Sequence, residues 1–411
     1  MKFLHAADIH LDSTLAGVRR AGGIPLHVTQ DCTRRAFTNM IDLAIAEGVA
    51  FVIIAGDLYD MDWKDFSTGL FFAGEMRRLD RPCFVVRGNH DAASVISRSL
   101  EPPPNVHVFS DHKTETVLLD AHGVAIHGRS FPHRAVPEDL SATYPPPVAG
   151  RLNIGVLHTS ADDPGEHARY APCSVSALSI RGYDYWALGH IHQRRVLHER
   201  PFIVFPGNIQ GRHPNETGAK GVTLVEFHDG RITGSPEHRS IDVLRWAQVV
   251  VDVDGADSVG DIAARARMAL TVAQQDTEGR PLIARVILSG TTARHAAMLA
   301  DPDAIDAECR NAAAAVSGDL HIERVRLDTR MPAALAQAEL DAVAQLASPF
   351  LAGLDDAEIT DRLLEDFRAI AAQIPRVPGR PMPPQTLDEL RALAPEAWQM
   401  VARALTEADA A

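Results

Sequence analysis

The sequence predicts a protein of the α/β class, and three observations carry that reading. Short apolar runs alternate with helix-spaced segments over residues 1–240, the pattern of a sheet covered by helices. Almost every apolar run ends within a few residues in a histidine, asparagine or aspartate, and loops at strand ends are where such folds place their chemistry. The composition is that of a globular chain: 46% apolar and 23% charged residues over 411 positions, enough for two or three domains.

Taken in order, Met1–Ala7 reads as a buried strand, and Arg34–Glu47 as a helix with Phe37, Ile41 and Ala44 on one face. Phe51–Ala55, Cys83–Val86, Val124–His127, Ile154–His158, Tyr185–Leu188, Ile203–Phe205 and Val222–Phe227 supply further strands. The proline-bearing stretches Glu101–Asn105 and Tyr144–Val148 read as loops. The composition shifts near Ser240, and residues 245–330 repeat the strand–helix pattern on a smaller scale. There Val249–Val253, Leu282–Ser289 and His321–Leu327 are the strands, with Val259–Ala273 and Ile305–Val316 the helices. Residues 333–411 are expected to be helical, broken at Pro375–Pro384, with a last helix opened by a Thr386/Glu389 capping box.

Charge and cysteine usage narrow the function classes. The formal charge of −14 argues against a generally basic nucleic-acid coat. Half of that excess lies from Met331 onward, where thirteen acidic residues face six basic ones, a net of −7. The N-terminus turns polar too early for a signal peptide, and no apolar run approaches the roughly 18–20 residues of a membrane span. Four scattered cysteines without a CxxC pair are expected to be buried free thiols in a reducing cytoplasm.

Five polar clusters follow the apolar runs: Asp8-Ile-His10, Gly56-Asp57-Leu-Tyr-Asp60, Gly88-Asn89-His90-Asp91, His158, and Gly189-His190-Ile-His192. Extended chain would let Asp8 and His10, two apart, point at one centre, and His190 and His192 likewise. The glycines before Asp57, Asn89 and His190 permit close approach of backbone to a ligand. Two carboxylates, one amide oxygen and four imidazoles suit Mn²⁺, Fe or Zn²⁺ better than Ca²⁺ or Mg²⁺, and the absence of thiolate argues against a structural zinc site. Seven donors are too many for one ion. A carboxylate shared between two ions, with three further ligands for each, uses all seven, and two such cations can activate water and neutralise phosphoryl oxygens together. Taken alone, a histidine is more often a core or surface residue than a ligand, and His5, His27, His107 and His112 are read that way.

In order and spacing the five blocks resemble the calcineurin-like metallophosphoesterases. The resemblance implies a four-layer αββα sandwich. It assigns Asp8, His10, Asp57 and His192 to one metal and Asp57, Asn89, His158 and His190 to the other, with Asp57 as the bridge. It makes His90 the non-ligand histidine that assists the leaving group, oriented by Asp91. The family covers protein phosphatases, cyclic-nucleotide phosphodiesterases, nucleotidases and DNA nucleases. Three features resemble the SbcD-like DNA repair exonucleases, in particular their YhaO subgroup. These are the start Phe-Leu-His-Ala-Ala-Asp-Ile-His-Leu-Asp, the stretches Pro206–His213 and Gly218–Glu226, and a small α/β domain at 245–330 in the place of a capping domain. They imply a manganese-dependent exonuclease subunit with a nuclease domain at 1–240; a cyclic-nucleotide phosphodiesterase or phosphoprotein phosphatase is the alternative.

One position departs from the pattern: some nucleases of this branch carry a histidine where Asp60 stands. DNA binding needs phosphate-neutralising side chains, and the candidates are Arg129, Arg194 and Arg212, with Arg19, Arg20 and Arg195. The tail has apolar stripes at helical spacing, Ile359, Leu363, Phe367, Ile370, Ile374 and then Leu387, Leu390, Trp398, Val401, Leu405. By resemblance this region would engage an SbcC-like coiled-coil ABC-type ATPase; a homodimer is also compatible with the sequence.

Overall fold

The computed structural model describes residues 1–15, 24–60, 65–93, 101–162, 170–335, 345, 349, 352–373, 383–384 and 386–407. Two sheets make up the N-terminal part. The first holds β1 (Lys2–Ala6), β2 (Phe51–Ala55), β3 (Cys83–Val86) and β4 (Val106–Val108) as parallel neighbours in that order. The second is built around β5 (Glu115–Leu119), β6 (Val124–Gly128), β7 (Leu152–His158), β8 (Tyr185–Gly189), β9 (Arg195–Glu199) and β10 (Phe202–Phe205), in the order β5-β6-β7-β8-β10-β9. The chain then returns to the first sheet, where β11 (Gly221–His228) lies antiparallel to β1 and carries β12 (Arg231–Ile232) and β13 (Glu237–Ser240).

Strand alternation sorts the core into layers. Phe3, Phe51, Ile53 and Phe84 point from the first sheet toward Ile126, Ile154, Tyr185 and Val204 of the second. Leu4, Val52, Ile54 and Val85 point the other way, onto helices Cys32–Ala46 and Phe66–Leu79 through Phe37, Met40, Phe72 and Met76. Strands buried on both faces are continuously apolar rather than alternating, as β2 is. The outer face of the second sheet is covered by the short helix Val175–Ser179 and the 3-10 turn Leu140–Thr143, with Trp186, Leu188 and Phe205 beneath them. The order helix, sheet, sheet, helix is the expected αββα sandwich, thin in its fourth layer among the described residues.

Each expected strand of residues 1–240 is present within a few residues. The strands β4, β5, β9, β12 and β13 had no sequence expectation; two to five residues long, none is buried along its length, so none shows the apolar run that marked the others. By contact the chain forms two compact units. One comprises Met1–Val250, Ala266–Ile287 and Cys309–Arg326; the other comprises Val251–Arg265, Leu288–Glu308 and Leu327–Ala411. A three-stranded sheet is made of β14 (Arg245–Asp252), β15 (Leu282–Thr291) and β16 (Leu320–Arg330), in that order. Its helices are Val259–Gln275, His295–Ala300 and Pro302–Val316. Within the first unit, Trp246 and Ile283 close an apolar cluster with Val28, Cys32 and Leu244.

In the second unit, helices Ala357–Gln373 and Leu387–Glu407 pack together through Leu364, Leu390 and Ala394, with Leu363, Phe367 and Leu387 beside them. The expected capping box is formed: Thr386 N–H donates to Glu389 Oε2 (3.2 Å) and Glu389 N–H to Thr386 Oγ1 (3.3 Å). Arg19, Arg20, Ile374, Pro375–Met382 and the side chains of Val401 and Leu405 lie outside the described residues. All four cysteines are buried free thiols. No helix among the described residues is long and apolar enough to cross a membrane.

Phe51 sits in the apolar layer between the sheets, stacking on Phe3 of its own sheet at 5.1 Å and meeting Phe84 and Phe227 of that sheet at 6.1 and 6.0 Å. Phe51→Ala is expected to destabilise the fold by about 3–5 kcal/mol, read as a lower urea midpoint; a loss below about 1 kcal/mol would mean the two sheets repack around the cavity.

Candidate metal centre

The five polar clusters converge at one end of the sandwich, because the strands that carry them are parallel and end together. Asp8 and His10 follow β1, Asp57 follows β2, and Asn89 follows β3, all from the first sheet. His158 closes β7, and His190 and His192 follow β8, from the second. The loops after β1 and β2 remain paired past the strands: Asp8 N–H donates to Gly56 O (3.0 Å) and His10 N–H to Asp57 O (3.0 Å).

The means by which these residues converge differs from the extended alternation expected of the sequence. β1 ends at Ala6, and Asp8 and His10 both have left-handed backbone, φ 51° and 46°. Asp57 (φ 53°) and His190 (φ 108°) share that feature. Side chains other than glycine at positive φ cost of order 1–3 kcal/mol each and persist where the surroundings over-determine them. The glycines serve as expected: a Cβ on Gly56 would strike the His158 ring, and one on Gly88 would strike the Asp57 carboxylate.

Donor atoms of Asp8, His10 and His192 lie within 4.8 Å of one another, as do those of Asp8, Asp57 and His158, and those of His10, Asp60 and His90. Asp8 is thus shared by the first two groups, whereas the resemblance gives the shared place to Asp57 alone. Asn89 joins through its Oδ1, 3.0 Å from His158 Nε2. The His190 N–H donates to both Asp8 oxygens (3.1 and 2.9 Å), and its ring lies 5.2 Å from that of His158. All seven expected ligands are therefore brought to one cluster.

Three features fit this cluster to cations. Asp8 and Asp57 are buried at 1% and 2% exposure, so neither carboxylate is solvated by bulk water; ionised, such groups need a counter-charge. Burial, then the neighbouring Asp57, pushes the Asp8 carboxyl well above its ordinary range, and burial raises Asp57 too. His158 Nδ1 can only donate to Ala55 O (3.0 Å), which leaves Nε2 as a lone pair. That lone pair faces Asn89 Oδ1 and Asp57 Oδ2, 3.0 and 3.5 Å away. Burial holds the His158 ring neutral, its pKa lowered to about 3. Finally, both ring nitrogens of His10 are buried without a hydrogen bond among the described residues.

The carboxylate beside His90 is not the expected one. Asp91 is buried and accepts the backbone N–H groups of Leu58 (3.1 Å), Tyr59 (2.9 Å) and Gly88 (3.1 Å). It therefore holds the second and third loops together rather than orienting His90. His90 Nδ1 meets Asp60 Oδ1 at 2.8 Å instead. Burial pushes the Asp60 carboxyl up, but the His10 and His90 rings beside it outweigh that and hold it well below the usual range. His90 and Asp60 are 27% and 28% exposed, against 0% for His10, so they form the face a substrate can reach.

Sequence reasoning also missed Glu216, whose Oε1 lies 2.6 Å from His192 Nδ1. No motif signals it, since the pair is 24 residues apart and joined only by folding. Of the arginines weighed for DNA contact, Arg212 comes to the site, bonding Ser13 Oγ (2.7 Å) with Asp60 Oδ2 3.6 Å away. Arg194 is turned onto Pro236 O (2.9 Å), Arg129 onto Thr143 Oγ1 (3.3 Å), and Arg195 onto Gln193 Oε1 (3.2 Å). His5, expected to be an ordinary core histidine, is one: its nitrogens meet Tyr185 Oη and Leu188 O.

A two-sheet αββα sandwich with carboxylates, an amide and imidazoles converging at the ends of its parallel strands defines a metallophosphoesterase. The chain belongs to the calcineurin-like phosphoesterases and, within them, to the YhaO family: residues 1–194 match the former and residues 246–330 match the YhaO middle domain. It is 36% identical over 299 residues to the metallophosphoesterase YhaO of Bacillus subtilis (strain 168), covering 71% of this chain and 72% of that protein. It is 25% identical over 316 residues to the DNA double-strand break repair protein Mre11 of Methanopyrus kandleri, covering 68% and 66%. The Mre11 protein of Sulfurisphaera tokodaii is 25% identical over 246 residues, 55% of this chain and 59% of the relative. The family hydrolyses phosphoesters with divalent metals, and the clusters above offer the ligands.

A bound divalent cation stabilises only the folded chain. Mn²⁺ at about a thousand times its dissociation constant should therefore add about 4 kcal/mol to the unfolding free energy. The expected readout is a higher Tm that EDTA reverses; a Tm indifferent to both would mean the cluster holds no cation.

Proposed function

We propose that this chain is a two-cation phosphodiesterase acting on DNA, a manganese-dependent repair exonuclease subunit similar to SbcD. The observation that carries the reading is the reach of the likeness to proteins named for DNA double-strand break repair. The alignment with the Methanopyrus protein takes in 68% of the chain, more than the 240 residues of the phosphoesterase sandwich can account for. Arg212 supports it from the site itself, an arginine 15% exposed beside the cluster, with the planar donors that suit a phosphate.

Asp8, His10, Asp57 and His192 would hold one cation, and Asp57, Asn89, His158 and His190 the other. Bound there, the cations supply Lewis acidity toward the phosphoryl oxygens and an activated water. As the imidazolium, with its Nδ1–H held by Asp60, His90 presents Nε2–H to the departing oxygen and hands it that proton. Arg212 neutralises a non-bridging phosphate oxygen or the neighbouring phosphate of the strand. Asp91 fixes the loops that present Asp57 and His90. On the C-terminal helices Ile359, Ile370 and Met400 stand 47%, 49% and 70% exposed, which supports docking of an SbcC-like coiled-coil ATPase; the buried thiols support a cytoplasmic setting.

The test is Mn²⁺-dependent digestion of linear single- and double-stranded DNA, run beside a cyclic nucleotide and a phosphomonoester. DNA should be degraded fastest; preferential turnover of the cyclic nucleotide or the monoester would move the protein to the phosphodiesterase or phosphatase reading. Asp57→Ala and His190→Ala should abolish hydrolysis. His90→Ala should lower kcat about 10²–10⁴-fold with bound Mn²⁺ unchanged, and full activity in that variant would remove His90 from the mechanism.

A further inference from the structure

Glu216 is a half-buried carboxylate (15% exposed) that the phosphoesterase motifs do not include, and three groups are arranged around it. His192 Nδ1 meets its Oε1 at 2.6 Å. Its Oε2 accepts two donors, the Arg212 N–H (2.6 Å) and Asn208 Nδ2 (3.0 Å). The segment carrying them is built onto the loop that bears His192. Asn208 N–H donates to His192 O (3.3 Å), and Lys220 Nζ donates to the same oxygen (3.0 Å). Gly207 (φ +80°) lies where a Cβ would press on Arg194 N and His192 O, so the two loops touch backbone to backbone.

We infer that Glu216 is a positioning residue for the metal centre, fixing the tautomer and ring orientation of His192. The inference rests on the reading of His192 as a ligand. A carboxylate has no hydrogen to give, so the proton between the two must sit on His192 Nδ1. Nε2 then carries the lone pair, and the ring plane is set by a short charge-assisted bond. Nε2 thus becomes the ligand atom without the ring having to search for it. Asn208 and the Arg212 N–H hold the carboxylate in turn, and Arg212 carries the guanidinium proposed to meet phosphate. One short loop would therefore align a metal ligand and a substrate contact together.

The two donors on Oε2 make the test unusual. In Glu216→Gln those donors select the amide oxygen for their side and turn its NH₂ toward His192. The imidazole can meet that NH₂ only by accepting at Nδ1, which puts the proton on Nε2 and blocks the ligand atom. In Glu216→Ala the ring loses its guide but keeps a free choice of tautomer. The isosteric change is therefore expected to be the more damaging of the two. Outer carboxylates of this kind are worth about 10–100-fold in metal affinity. Calorimetric titration of Mn²⁺ into the EDTA-stripped full chain should find one of two sites weakened about 100-fold in Glu216→Gln and about 10-fold in Glu216→Ala, the other site little changed. At saturating Mn²⁺ kcat should largely recover, the deficit appearing in the Mn²⁺ activation constant.

A carboxylate that only braced the loop would give the opposite order, with Ala worse than Gln and metal-free Tm falling in step. That result, unchanged Mn²⁺ affinity in Glu216→Gln, or failure of both variants to fold without metal would overturn the inference. Absence of Mn²⁺ binding in the unaltered protein would instead sink the two-cation reading itself, and loss of DNA turnover alone would leave the inference standing.

Discussion

Two carboxylates, Asp8 and Asp57, stand buried side by side at the ends of adjacent parallel strands, and the rest of the site is arranged around that costly placement. Their oxygens are not left to drift. The His190 N–H holds both oxygens of Asp8, and the His90 N–H holds Asp57 Oδ1 at 2.9 Å. Each carboxylate is thus gripped by the loop that also bears a neighbouring histidine. A cluster so built is poor in internal neutralisation and rich in fixed lone pairs, the electrostatic preparation a dication requires.

The backbone contributes as much as the side chains. Four of the residues at the centre adopt left-handed conformations, and the glycines at 56 and 88 allow rings and carboxylates to come where a methyl group would stand. These are local departures from what aspartate and histidine prefer. They are held in place by β1, β2 and β3, which are buried on both faces and have little freedom to slide. Stability invested in the strands is what permits strain in the loops.

That division explains what the sequence made legible. The parallel strands could be read because their residues are apolar in runs, and the candidate ligands because they follow those runs, three of them with glycine before them. The convergence of Asp8 and His10 could be foreseen, but its geometry could not, since alternation along a strand says nothing about a turn beyond its end. The carboxylate partner of His90 was assigned to the adjacent Asp91, while the fold delivers Asp60 from a different loop. Glu216 escaped altogether, because its significance lies in a 2.6 Å contact with a residue 24 positions away. Partners chosen by tertiary approach leave no local signature, whereas ligands carried on strand ends do. The short edge strands were missed for a related reason: half exposed, they lack the buried apolar run that marks the inner strands.

The metal cluster draws on both sheets, and Asp8 meets the His190 backbone across 182 residues of chain. Closing a loop of that length is slow compared with forming the local β1–β2 and β7–β8 pairs. The seven residues stand together only because the two sheets are docked, Phe3 against Tyr185, and would be expected to assemble late on the folding route. A nascent chain released from synthesis before β8 would own Asp8, His10, Asp57, Asn89 and His158, yet lack the half that completes the grip. A cation captured there would therefore serve as a checkpoint on the whole sandwich: its occupancy would report that the first strand and the eighth have found each other.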